Sequence, residues 1–237
     1  MKDEKTAQIL KYVFIVIAIA ELLSHVLGLE NLNEFTKPLL MPVLLVYFRK
    51  GLKSPVNLSF ILAVFALVFS WFGDVALMYV YKADWYFLVG LGAFAVAQSF
   101  YFFSFKNARY VEEKQTPLLQ HIFNVFPFAV FAIGLLYPLW PTLGGLKVPV
   151  TIYASLICTM ALGAVYRNGR TNTESFNQVV FGAILFILSD SLIAINKFYA
   201  PMENASVWIM GTYILAQWNI INGLQKHYNV NSIFGKN

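Results

Sequence analysis

The chain of 237 residues is 59% hydrophobic and only 12% charged, about half the charge of an ordinary soluble domain. Apolar residues run along its whole length, so the composition is that of a polytopic membrane protein with no separate soluble domain. The net charge of +5 does not point to nucleic acid, because the basic residues fall in short loops between apolar runs, and the lone Cys158 excludes an internal disulfide or a thiolate metal cluster.

Eight candidate spans are predicted in chain order, at residues 9–28, 36–48, 57–80, 85–105, 118–139, 148–166, 176–199 and 207–225. All but one are long enough to cross about 30 Å of hydrocarbon at roughly 1.5 Å per residue. The charged start followed by an apolar run has the outline of a signal peptide. That run is about 20 residues long, carries Glu21 and lacks a small-x-small cleavage site, so it reads as the first span. The second span is short and holds Pro38 and Pro42, and is expected to start in the interface or to be irregular. The expected fold is all-α, a single integral membrane domain over 1–237 in which eight helices form one bundle.

Loop charge gives an independent check on the count. Under an eight-span topology one face collects Lys2, Lys5, Lys11, Arg49, Lys50, Lys53, Lys106, Arg109, Lys114, Arg167, Arg170, Lys226 and Lys236, which is 13 of the 17 basic residues. Lys37, Lys82, Lys147 and Lys197 fall on the other side. The positive-inside rule then places both termini in the cytoplasm, and a bacterial inner membrane is the expected location.

The topology fixes depth. Spans one, three and seven run in the same direction, and Glu21, Asp74 and Asp190 each sit roughly 20–25 Å from the inner end. Span two runs the other way and begins with Lys37. Four charged side chains from four helices are therefore expected at one depth. Ser70 and Asp74 share a helix face, as do Glu21 and His25, and Tyr213 and Gln217. Gly73 and Ser189, each beside an Asp, leave room for a helix or a ligand to come close. The two Asp-bearing runs lie four helices apart in spans of like direction, which hints at a duplicated four-helix unit.

An Asp in mid-membrane costs about 2.5–3.5 kcal/mol on insertion scales, and intramembrane acids are functional by default. The bland alternative is a protonated Asp bonding across helices. Two carboxyls in one site push each other's proton affinities apart, so one can stay protonated while the other is ionised. That division suits general acid/base work on a linkage that needs a proton. Glu21 is either a third site carboxylate or the partner of Lys37 or His25. Lys37 either snorkels to the interface or meets an anionic lipid head group. No metal or other cofactor is expected: His25, His121 and His227 fall at different depths, with no His-x-x-x-His pair. Gly-x-Ser-x-Gly and phosphate-cradling glycine loops are absent from the sequence. Buried acids on several helices also fit a proton-coupled transporter or lipid carrier.

Four stretches carry a family resemblance: Thr36-Lys37-Pro38-Leu39-Leu40-Met41-Pro42, Ser70-Trp71-Phe72-Gly73-Asp74-Val75-Ala76-Leu77, Ser189-Asp190-Ser191-Leu192-Ile193-Ala194 and Tyr213-Ile214-Leu215-Ala216-Gln217. In order and topology the chain resembles the YhhN-like lysoplasmalogenases, eight-span membrane proteins, over spans two to eight. The resemblance implies hydrolysis of the vinyl-ether bond of a lysoplasmalogen to a fatty aldehyde and a glycerophospho-ethanolamine or -choline. It implies a lysophospholipid substrate among membrane lipids, with no nucleic acid and no obligate protein partner. Asp74 and Asp190 would be the catalytic pair, with Glu21, Lys37, Ser70, Gly73, Ser189, Tyr213 and Gln217 lining or supporting the site. Where many relatives carry a His before a Tyr in span four, this chain has Gln98 and Tyr101. Gln98 can only hydrogen-bond, and its depth is expected to lie away from the carboxylates.

Overall fold

A computed structural model describes residues 2–109 and 116–234, with side chains over 3–109 and 116–229. The expected loop and tail charges Lys114 and Lys236, and the side chain of Lys2, lie outside the described residues. In hydrocarbon every backbone N–H must be satisfied within its own segment or a closed barrel, so a chain this apolar coils. Among the described residues eight α-helices form, α1 (Lys2–Leu27), α2 (Glu30–Lys50), α3 (Leu58–Met78), α4 (Trp85–Asn107), α5 (Leu118–Leu139), α6 (Lys147–Val165), α7 (Thr173–Phe198) and α8 (Ala205–Phe234). Among the described residues there is no strand.

Local sequence sets the helix ends. Asn57 caps α3 by accepting from the Phe60 amide at 2.8 Å, and Asn172 caps α7 by accepting from Ser175 at 2.7 Å. Gly28 ends α1 in the left-handed conformation (φ 65°), and the Leu29 amide turns back to the Ser24 carbonyl at 2.8 Å.

The second segment differs from its expected short or irregular form. It is a continuous helix of 21 residues, with Pro38 and Pro42 inside it. Pro42 has no N–H to give the carbonyl of Pro38, one turn back. The indole Nε1 of Trp71 on α3 supplies that bond instead, at 2.9 Å. A tertiary contact thus completes α2 and pins it to α3 within one turn of Asp74.

Among the described residues six helices (α1, α3, α4, α5, α6 and α7) are long and apolar enough to cross a membrane. This is an all-helical integral membrane protein. α2 and α8 are long enough but more polar, and part of that polarity, including Thr36, Gln217 and His227, is turned inward and buried. One core draws buried residues from α1–α4 and α6–α8. The α3–α4 and α7–α8 pairs are packed most extensively. Gly182 allows the second: a Cβ there would lie 2.8 Å from the Ala216 carbonyl and 2.9 Å from the Ile220 amide. α5 leans on α6 and α7 and leaves most of its surface to the surroundings.

Contacts distinguish two ends of the bundle. At the proximal end Lys50 and Lys53 pair with Asp3 and Glu4 at 2.9 and 2.7 Å, and Lys226 pairs with Glu174. The connections α1–α2, α3–α4, α5–α6 and α7–α8 lie at the other, distal end, where Phe87 meets Phe198. Arg167, expected as a loop charge, is instead fully buried at the proximal end. Its guanidinium donates to Ser175 Oγ at 2.8 Å and to the Ala108 carbonyl at 3.3 Å, and Ser175 donates on to Gly223 at 2.5 Å. These bonds offset part of the cost of burying the cation. Burial, with Arg167 nearby, pushes the neighbouring His227 imidazole down to about 3, so it is neutral.

Candidate active site

Asp74 sits in the core and Asp190 is half-buried beside a slot, each held by a tyrosine from a different helix. Asp74 is almost fully buried, and its Oδ2 accepts from Tyr213 on α8 at 2.7 Å. Asp190 accepts from Tyr153 on α6. Asp74 lies within electrostatic reach of Asp190, Lys37 and Glu21.

Below Asp74 a polar chain runs toward the proximal end. Gln217 Nε2 donates to Ser70 Oγ at 3.0 Å and reaches the Tyr213 hydroxyl at 3.3 Å. Its Oε1 accepts from Tyr101 at 2.5 Å. With Gln217 holding one side of its hydroxyl, Tyr213 aims its proton at Asp74. The Tyr213 ring is wedged edge-on against Phe94 and Phe186, with centroids 5.9 and 5.5 Å away.

The remaining expected residues take supporting places. Gly73 brings α3 against α4, since a Cβ there would lie 2.6 Å from the ring of Phe94. Ser189 donates to the Ile209 carbonyl at 3.0 Å, a contact between α7 and α8 rather than a group aimed at Asp190. Glu21 is fully buried; Thr36 at 2.5 Å and Asn33 at 2.8 Å tie it to α2, and His25 at 3.2 Å holds it from one turn along α1. Lys37 is half-buried and acts on Asp74 through charge.

Tyr153 and Asn33 belong to this constellation without being named from the sequence, and Tyr101, named there only beside Gln98, joins it through Gln217. A Tyr near a span end reads as an interfacial aromatic, and six residues into α6 is such a position. Gln98 was placed away from the carboxylates by depth alone. It is fully buried beside Tyr153, the residue that holds Asp190, although neither amide atom finds a partner of good geometry.

Two openings lie toward the distal end, one of them beside Asp190. A narrow apolar slot of about 50 Å³ has Asp190 and Tyr153 as its only polar residues, among Leu77, Phe94, Val150 and Phe198. On the other side of α3 a polar cup of about 520 Å³ is lined by His25, Glu30, Asn33, Glu34, Tyr79 and Tyr81 with their neighbours. The Lys82 ammonium lies 4.5 Å from the centre of the Tyr79 ring, so this edge already offers a cation an aromatic face.

Residues 32–224 match the YhhN family across the helices that build these features. The chain belongs to the YhhN family. Among relatives of this YhhN-family chain, a pig protein named lysoplasmalogenase TMEM86B is 32% identical over 153 residues, covering 64% of this chain and 58% of the relative. A Mycobacterium bovis lysoplasmalogenase is 32% identical over 142 residues, covering 59% and 51%. Human lysoplasmalogenase TMEM86A is 32% identical over 154 residues, covering 64% and 60%. The matched region thus spans between about half and three fifths of the length of these curated relatives. No solved structure matches the chain.

Proposed function

We propose that this YhhN-family chain is a lysoplasmalogenase, hydrolysing the vinyl-ether bond of an alkenyl lysophospholipid with Asp74 and Asp190. One observation carries the reading: buried Asp74 and half-buried Asp190 are each held by a tyrosine and lie within electrostatic reach of one another, with Asp190 opening on an apolar slot. The names borne by its relatives agree with it.

The chemistry needs a strong proton donor in a dry place. A protonated carboxyl delivers its proton to the distal alkene carbon, which leaves an oxocarbenium-like carbon bonded to the ether oxygen. The partner carboxylate stabilises that cation and takes a proton from the attacking water, as paired carboxylates do in glycosidases. The resulting hemiacetal collapses to a fatty aldehyde and a free glycerol hydroxyl, so one water is consumed and no redox partner is needed. Tyr213 and Tyr153 fix the carboxyl orientations and Gln217 fixes Tyr213.

The first carbons of the alkenyl chain enter the slot beside Asp190. Lys37 meets the phosphate, and the ammonium end lies in the cup among Glu30, Glu34, Tyr79 and Tyr81. Tyr79 stands five residues beyond Asp74, or about 7–8 Å along α3, the scale of the glycerophosphate between a vinyl ether and its head group. The full reading is one integral membrane domain over 1–237 with eight spans, α2 and α8 included, and both termini on the cytoplasmic side of a bacterial inner membrane.

Aldehyde release from detergent-solubilised protein, given an alkenyl lysolipid beside its alkyl-ether counterpart, tests the function. Product is expected from the alkenyl lipid alone and is lost in Asp74→Asn and in Asp190→Asn. Full turnover by both variants in folded protein refutes the mechanism. Uptake into proteoliposomes driven by a pH gradient, without product, would make the chain a transporter instead.

A further inference from the structure

The opposite end of the bundle carries a second opening. A cup of about 790 Å³ lies between α4, α5 and α6, and Lys106, Arg109, Thr116, His121, Tyr166 and Arg170 converge on it. No described carboxylate lines it. It is some 13 residues down α6 from Tyr153, or roughly 20 Å from the proposed catalytic pair, so it is no part of that site.

Its parts are held rather than loose. His121 Nδ1 and the Tyr166 hydroxyl are hydrogen-bonded and their rings stack, which fixes α5 against α6. Arg170 donates to Thr116 at 3.2 Å, joining the α6–α7 connection to the start of α5. The cup also lies at the N-terminal end of the 22-residue α5, the positive end of its dipole. Guanidinium forks and an ammonium around one concavity suit an anionic group such as phosphate. Phe102 and Leu162 floor the cup. Leu118, Ile122 and Phe126 on α5 continue outward from it as exposed apolar surface. A head group in the cup could therefore keep its chains along α5, the helix with least protein cover. Basic pockets between spans at a cytoplasmic face are the form in which anionic head groups are held.

We propose that this basic cup is a phosphate-binding site, separate from the hydrolytic one, that takes the phosphate of an anionic phospholipid and thereby fastens α5 to α4 and α6. The same chemistry would accept free phosphate, and the experiment separates the two sources.

The full chain in detergent is titrated with dioleoyl-phosphatidylglycerol, with dioleoyl-phosphatidylcholine and with inorganic phosphate, and the thermal midpoint is read. A saturable rise with the anionic lipid, and none with the zwitterionic one, is expected. Each basic residue near such a surface is worth about a factor of five in affinity. Lys106→Gln should then weaken the apparent affinity about fivefold, and Lys106→Gln with Arg170→Gln about thirtyfold. Lys106 is exposed, so the single variant keeps the test intact should the double variant not fold. A matching rise with millimolar inorganic phosphate assigns the cup to soluble phosphate, and a rise with lipid alone assigns it to the head group. Equal responses to both lipids, or titrations that the substitutions leave unmoved, overturn the proposal.

Discussion

Replacing Tyr213 by Phe asks whether the tyrosine hydroxyl orients a reacting carboxyl or merely fills space. The ring contacts with Phe94 and Phe186, centroids at 5.9 and 5.5 Å, survive the change. What disappears is one donor to Asp74 at 2.7 Å and one acceptor for Gln217 at 3.3 Å. Gln217 keeps Ser70 at 3.0 Å and Tyr101 at 2.5 Å, so little is orphaned on that side. Asp74 loses its tyrosine donor inside the protein. A hydrogen bond to a charged group is worth about 1.5–3 kcal/mol, which is roughly 10- to 150-fold in rate if it is made fully in the transition state. Aldehyde release should therefore fall in kcat by about that factor, with KM changed much less, because the hydroxyl touches the catalytic group and not the lipid. In the Asp74→Asn background the same substitution should cost almost nothing, since its target is already gone. Turnover within twofold of the parent protein, in a sample whose melting point is preserved, would refute the assignment of Asp74 as a reacting carboxyl held by Tyr213.

Trp71→Phe leaves the Pro38 carbonyl without the indole that replaces the missing Pro42 amide. A lost buried partner costs about 1–3 kcal/mol, so the thermal midpoint should drop by several degrees, and an unchanged midpoint would show that α2 needs no such support. Gly182→Ala puts a methyl against backbone atoms of α8 at 2.8 and 2.9 Å, which cannot swing away. Overpacking typically costs about 1–3 kcal/mol, so α7 and α8 should separate and melting should fall. Wild-type stability in that variant would contradict the close approach.

His227 gives a pH signature. Its folded value near 3 lies below the ordinary value of about 6.5. Below that ordinary value the unfolded chain binds the extra proton and the folded one does not, so stability is lost as pH falls through about 6.5. Between pH 7 and pH 5 this amounts to about 2 kcal/mol, and His227→Gln should remove that part of the slope. An unchanged slope, measured by thermal unfolding across the same range, would place the proton elsewhere.

The sequence by itself determined the class of protein, the number and order of the helices, and the acids proposed to carry the chemistry. These follow from one-dimensional quantities: apolar length sets each helix, and a carboxylate in hydrocarbon is costly enough to stand out wherever it occurs. Ser70 with Asp74, and Tyr213 with Gln217, were legible too, because helical spacing puts them on shared faces. Tertiary structure decided which residue faces which. Tyr153 looks like an interfacial aromatic until α6 is laid against α7, and Arg167 looks like a loop charge until Ser175 and Ala108 close around it. Pro38 and Pro42 suggest a broken α2 until Trp71 arrives from α3. In each case the partner lies on another helix, and helical periodicity reports a face without reporting what that face will meet. The continuity of α2 and the burial of a charge were settled there, because both depend on hydrogen bonds that only packing can supply.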